Sequence, residues 1–394
     1  MGEFPAIDVP DAFMRDSLQH EAYAAPRRRI YLGGTQYLER LDEALNTQAQ
    51  WVMLEGASGS GKSALLANWI DRLTNQDNLI VHAHFIGANP SAGDPVALIR
   101  RLIERIRHET GIKDETEADP DVLLDALPEW LGLASAWAEH NNKRFLFALD
   151  SLNGLTERRE LLWFPKRLPP RIHLVVSTLP GEVREHLIQK AEWRHIEVKP
   201  LDHETSRQVF TAYLRLYNKT LPGPLIEQVM THPLVNNPLF LLTLAEELRL
   251  FGEHERLSEQ ISYYQESKTV DDLFERVLAR IEADHGAAIM RQIMTALWAA
   301  RSGLREDELL AYAGIPLMKW APIRHALGPA LLENGGRYVF SHDYLRIAVS
   351  DRYMAGNNCL ENEGQSDEAL ALRRKAHVRL AEWFEANAFQ DDDT

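Results

Sequence analysis

As far as Pro200 the chain alternates short apolar runs with stretches of helical spacing. The runs cover residues 51–54, 79–86, 145–150, 171–178 and 196–198. They are short, rich in β-branched and aromatic residues, and predict strands buried on both faces. Helical spacing precedes the first run at Tyr37, Leu38, Leu41, Ala44 and Leu45 and lies between later ones at Leu65, Leu66, Trp69, Ile70 and Leu73; at Val96, Leu98, Ile99, Leu102, Ile103 and Ile106 behind Asp94-Pro95; and over residues 122–139 behind an acidic loop at 113–121. A shorter helix is predicted over 13–23, with Arg27, Arg28 and Arg29 beyond it as a solvated run. Strands alternating with helices predict a parallel α/β sheet whose ligands sit at the C-terminal strand ends.

Beyond Pro200 strand signals nearly vanish. Leu201-Asp202-His203-Glu204 opens a helix, Pro222 and Pro224 are expected to break the next, and Asn236-Asn237-Pro238 starts a long one over 239–250. Helices follow over 271–283, 287–300, 306–312 and 320–332, then a Gly335-Gly336 turn, a short strand over 337–340 and a helix over 343–353. That order predicts a winged-helix unit. A polar break at 357–367 precedes an amphipathic helix over 368–388. Residues 56–63, Gly56-Ala57-Ser58-Gly59-Ser60-Gly61-Lys62-Ser63, place a G-x-x-x-x-G-K-[ST] loop between the first strand and the next helix, so the expected fold is an α/β P-loop NTPase sheet domain (27–200) after a lead-in (1–26), then a helical domain (201–268), a winged-helix domain (269–356) and the start of a further helical region (357–394).

A chain of 394 residues exceeds one core, which agrees with several domains. No apolar run reaches membrane-spanning length, and the N-terminus has no basic start followed by an apolar core. A single cysteine, Cys359, excludes an internal disulfide and points to the reducing cytoplasm. A net charge of −15 argues against extended nucleic-acid contact.

The chemistry concentrates just after the first strand. Gly56-Ala57-Ser58-Gly59-Ser60-Gly61-Lys62-Ser63 fits the phosphate-binding loop pattern, with a strand before it and a helix running on through Ala64. The glycines let backbone N–H groups face a phosphate, and the following helix turns its positive end to the same anion. Lys62 is expected to reach the β- and γ-phosphates and Ser63 to hold Mg²⁺. Asp150 closes an apolar strand and is the candidate second Mg²⁺ ligand and catalytic acid. Ser177 and Thr178 close the next strand, placed either to look toward the γ-phosphate or to close the turn.

Taken in order, residues 56–63, Asp150, Asn237-Pro238-Leu239 and Phe340-Ser341-His342-Asp343 resemble the STAND ATPases, in particular the NACHT-related branch that includes nephrocystin-like and telomerase-associated proteins. The stretches 84–88 and 163–169 support the resemblance. It implies a signalling switch binding ATP or ADP with Mg²⁺, closed over ADP at rest and self-associating when active, with sensor or effector modules elsewhere. It also implies that Pro238 packs on the adenine side, that His342 touches the β-phosphate, and that Ile30, Tyr31 and Leu32 line the base. Three positions depart from the family pattern. Asn153 and Gly154 stand where two acids would follow Asp150, Leu179 where a sensor arginine would stand, and Gly34 where an arginine would follow Gly33. Asn153 can orient water but cannot act as its base, so slow hydrolysis is expected.

Two other classes compete. A winged-helix DNA-binding ATPase, of origin-recognition or transcription-regulator type, would read DNA through Lys319, Arg324 and His325. Pro322 and the apolar run around Leu327, Leu331 and Leu332 make that a poor phosphate face. A small-molecule kinase would need an acceptor lid, and none is evident.

Overall fold

The computed structural model describes residues 11–47, 49–89, 91–113, 119–156, 161, 163–355 and 367–387. Two compact units meet in the sequence between Leu201 and Asp202.

The first unit contains α1 (Ala12–Arg28), α2 (Thr35–Asn46), β1 (Trp51–Glu55), α3 (Lys62–Leu73), β2 (Leu79–Phe85), α4 (Pro95–Thr110), α5 (Pro120–His140), β3 (Arg144–Asp150), β4 (Ile172–Thr178), α6 (Glu182–Lys190) and β5 (Arg194–Glu197). The five strands form one parallel sheet in the order β2-β3-β4-β1-β5. The two-residue alternation of a strand sorts its side chains to opposite faces. Met53, Phe145, Phe147, Leu149, Leu174 and Val176 bury against α4, α5 and α6. Val52, Leu54, Leu146, Ala148, Val175 and Ile196 bury against α2 and α3. Each Val, Leu, Ile, Phe or Met side chain among them contributes about 1.5–3 kcal/mol by leaving water, which is why both faces must be apolar. Glu55 lies opposite Thr178 and Glu197, and Phe85 opposite Asp150, so these strands end along one edge.

α1 runs further than the periodicity predicts, through Pro26 to Arg28. Its last turn is clipped by the cations expected to be solvated. Arg27 lies 3.5 Å over the Tyr23 ring and donates to Tyr23 O at 2.7 Å, and Arg28 pairs with Glu21 and with Asp71 of α3.

The second unit contains α7 (His203–Leu216), α8 (Gly223–Met230), α9 (Pro238–Leu250), α10 (Leu257–Gln265), α11 (Val270–His285), α12 (Ala287–Ala299), β6 (Leu304–Arg305), α13 (Glu306–Ala313), α14 (Leu317–Leu327), β7 (Leu331–Asn334), β8 (Arg337–Phe340), α15 (Asp343–Met354) and α16 (Asp367–Asn387). α9 packs on α7 and α11, α15 on α11 and α12, and α16 on α12. Two acids of α9 are buried but paired. Glu246 takes Arg249 at 2.6 and 2.5 Å and Tyr213 at 2.6 Å; Glu247 takes Arg280 at 2.6 and 3.0 Å and the Tyr264 hydroxyl.

Two expectations need correction here. Pro224 does not break α8; it sits in the first turn, where its missing N–H costs nothing. The helix expected over 320–332 ends at Leu327, because Gly328 turns at φ +46° and Pro329 follows. Leu331–Asn334 then pairs antiparallel with Arg337–Phe340, and β6 completes a sheet in the order β6-β8-β7. α6 and α10 had no clear apolar stripe to announce them. Of the polar break at 357–367, all but Asp367 lies outside the described residues.

Candidate nucleotide site

β1 delivers the loop 56–61 to the C-terminal edge of the sheet, and α3 starts at Lys62. Gly61 holds φ +92° as the N-cap of α3, a conformation a side chain would strain. A Cβ on Gly56 would stand 2.7 Å from Val198 O, so the loop presses on the end of β5. Lys62 is buried, and its ammonium donates to Gly56 O at 2.8 Å and Ala57 O at 2.9 Å. Burial pulls it down to about 8 and Asp150 pulls the other way. The lysine thus folds over its own loop and must leave two carbonyls to reach a phosphate. Ala57 is exposed; Ser58, Gly59, Ser63 and Ala64 are half-buried; Ser60 Oγ is buried without a hydrogen-bond partner.

Asp150 is fully buried at the end of β3. Its Oδ1 accepts from Ser177 Oγ at 2.5 Å, while its Oδ2 has no hydrogen-bond partner. An unpartnered buried carboxylate oxygen carries a desolvation cost, and a cation or donor that reached it would remove that cost. Ser177 Oγ also accepts from Ser151 N at 2.7 Å. Ser177 therefore orients the acid and the turn after it. Thr178 Oγ1 donates to Leu179 O at 3.2 Å. Asn153 lies in a 3₁₀ turn (Leu152–Gly154), and its Oδ1 accepts from Leu179 N at 3.3 Å. Among the described residues no group of three or more His, Cys, Asp or Glu side chains is placed to hold a metal alone. A cation at Asp150 would draw its other oxygens from Ser63, phosphate and water.

Residues 50–217, which take in this loop and strand edge, match the family described as the NACHT domain. The chain carries a NACHT domain. It is 24% identical over 347 residues to a TPR repeat-containing protein of Dictyostelium discoideum, 28% over 370 residues to telomerase protein component 1 of Mus musculus, and 23% over 305 residues to nephrocystin-3 of Homo sapiens. Those matches take in 77%, 84% and 73% of this chain but only 21%, 14% and 22% of the three relatives. Among solved structures, the Walker-type ATPase of Pyrococcus abyssi aligns with a TM-score of 0.45 at 17% identity, covering 82% of this chain and 97% of that one. A STAND protein with a tetratricopeptide repeat sensor from Pyrococcus horikoshii aligns at 0.44 and 14% identity, covering 92% of this chain and 46% of that one.

Ahead of the NACHT match, Ile30 and Tyr31 are half-buried and Leu32 is exposed. The Tyr31 ring folds over Gly34, where a Cβ would stand 2.0 Å from its hydroxyl. An arginine at 34 would require that ring to move. Burial pushes the Tyr31 phenol well above its ordinary range, with Tyr37 adding to the shift. Pro238 and His342 belong to the second unit. Pro238 is the first residue of α9, behind Asn237 Oδ1, which accepts from Leu239 N at 3.0 Å and Phe240 N at 3.3 Å. His342 takes the N-cap position of α15 without a side-chain cap bond. Arg324, a candidate DNA contact, is committed to Glu306 at 3.5 Å, Glu333 at 3.9 Å and the Tyr338 hydroxyl at 2.8 Å.

One pair beside the loop escaped sequence reasoning. Glu55, bonded to Gly56, accepts from Arg184 of α6 at 2.6 Å. The two residues are 129 positions apart, and no local pattern signals their meeting. Among the described residues no helix is long and apolar enough to cross a membrane.

Proposed function

We propose that this chain is the core of a nucleotide-dependent switch that binds ADP or ATP with Mg²⁺ and hydrolyses slowly. The observation that carries the reading is the buried, half-satisfied Asp150 at the strand edge that also bears the Lys62 loop. Backbone N–H groups of 56–63 and the start of α3 hold the phosphates, and Lys62 leaves Gly56 O and Ala57 O for them. Ser63 and Asp150 Oδ2 are the ligands for Mg²⁺, which neutralises phosphate charge when bound. Asn153 orients water without removing its proton, which keeps turnover low. Ile30, Tyr31 and Leu32 line the base, Pro238 closes the adenine side, and His342 donates to the β-phosphate. The region from α11 to α15 serves as a winged-helix element. The nucleotide then biases which contacts the domains make, and so whether the whole protein self-associates in the cytoplasm. Sensor modules, such as the repeats named in the relatives, lie outside these residues. The test is the nucleotide released when the purified chain is denatured. ADP or ATP in near-stoichiometric amount is expected, and a protein that neither carries nor binds nucleotide would overturn the reading.

A further inference from the structure

At the end of the sheet opposite the P-loop, a cavity of about 650 Å³ opens between the starts of β1 and β5 and the segment 166–168. β1 has five residues, so at about 3.3 Å each the cavity lies roughly 16 Å from the phosphate loop. Its walls are braced. Gln50 Nε2 donates to the carbonyls of Leu168, Pro169 and Ile172 at 3.3, 2.7 and 3.2 Å. Trp193 donates to Leu187 O at 2.7 Å and meets Trp51 edge-on at 5.1 Å. The Trp51 indole stays half-buried, so part of an aromatic surface faces the opening.

The charges on the rim are uneven. Arg194 is committed to Glu43 at 2.6 Å and to Thr47 at 3.2 Å. Lys166 and Arg167 are exposed, and neither has an ion-pair or hydrogen-bond partner among the described residues. Two adjacent unspent cations thus face a single rim carboxylate, Glu192, which leaves the rim net positive in a chain of net charge −15. The volume falls in the range of ligand sites, a guanidinium grips a carboxylate with two parallel N–H bonds, and an indole takes an apolar side chain.

We propose that this cavity binds an acidic peptide segment, with its carboxylates on Lys166 and Arg167 and an apolar side chain on Trp51. The surface goes beyond the nucleotide reading and stands whether or not that reading does. Nucleic acid is the poorer fit. It needs a track of cations along the backbone, and here Glu192 on the rim and Glu43 on Arg194 interrupt one.

The experiment is titration calorimetry of the intact chain with a short peptide of glutamates around a single phenylalanine. Binding is expected at low salt and should weaken as salt rises. The double variant Lys166→Glu, Arg167→Glu should lose at least about tenfold in affinity at an unchanged melting temperature. Lys166→Gln with Arg167→Gln should lose less, and it replaces the first variant if charge reversal impairs folding. Equal affinity in either variant, no binding by the intact chain, or tighter binding of an oligouridylate than of the peptide would overturn the proposal.

Discussion

Lys62 has two possible sets of partners, its own loop carbonyls at 2.8 and 2.9 Å or an anion. Neutral carbonyls are weaker partners than a phosphate, so a bound nucleotide should win the ammonium. Lys62→Ala is therefore expected to weaken ADP binding by about two orders of magnitude, equivalent to about 3 kcal/mol, with the fold kept. Calorimetric titration checks this, and an unchanged affinity would move the site elsewhere. Asn153 offers a second test. Its Oδ1 accepts from Leu179 N, a bond an aspartate oxygen can keep, so Asn153→Asp should raise steady-state phosphate release without unfolding the turn. Gly154 is the poorer position to alter, because a Cβ there would stand 3.0 Å from Ile86 Cγ2.

Buried charge, or its avoidance, holds several elements in place. α9 carries Glu246 and Glu247 into an apolar interior because each meets an arginine and a tyrosine hydroxyl. Removing one partner leaves an uncompensated carboxylate, so Arg280→Leu should cost about 3–5 kcal/mol, read as a drop in the urea midpoint of the second unit. α1 and β2 share a different device. The His20 and His84 rings lie 4.7 Å apart, and His82 faces Arg101, which itself pairs with Asp16. Burial, with Arg101 next, holds His20 and His82 well below 6.5, and the same causes bring His84 down to about 3. The unfolded chain binds protons near 6.5 that these folded rings refuse. Stability should therefore fall as pH drops below about 6.5 toward 3, by at most about 1.4 kcal/mol per pH unit for each ring. His84→Gln can keep the donation to Ala92 O and should flatten the pH dependence of the denaturation midpoint.

For the whole molecule the proposed contact of His342 with the nucleotide is the reading to test. If one nucleotide takes both Lys62 and His342, it links the two units, and a ligand that binds only the linked form stabilises that form. His342→Ala should then loosen ADP and increase the radius of gyration measured by solution scattering. A mere helix-start role predicts wild-type ADP affinity and unchanged scattering.

What the sequence determined by itself is what local spacing encodes. Short apolar runs rich in β-branched and aromatic residues marked all five strands of the parallel sheet, the glycine spacing marked the phosphate loop, and an acid at the end of an apolar run marked Asp150. Helix starts at Asp94, Asp202 and Asn237 were readable because a cap bonds within three residues of itself. Tertiary structure decided the rest. Whether 331–334 was helix or strand depended on pairing with 337–340, since a short apolar run suits either. Ser177 is spent on Asp150, Tyr31 fills the space above Gly34, and Arg184 reaches Glu55, because the folded chain brings those atoms together. Propensity and spacing act over a few residues, whereas these contacts are selected by the packing of elements distant in sequence, and that packing fixes which polar groups find partners.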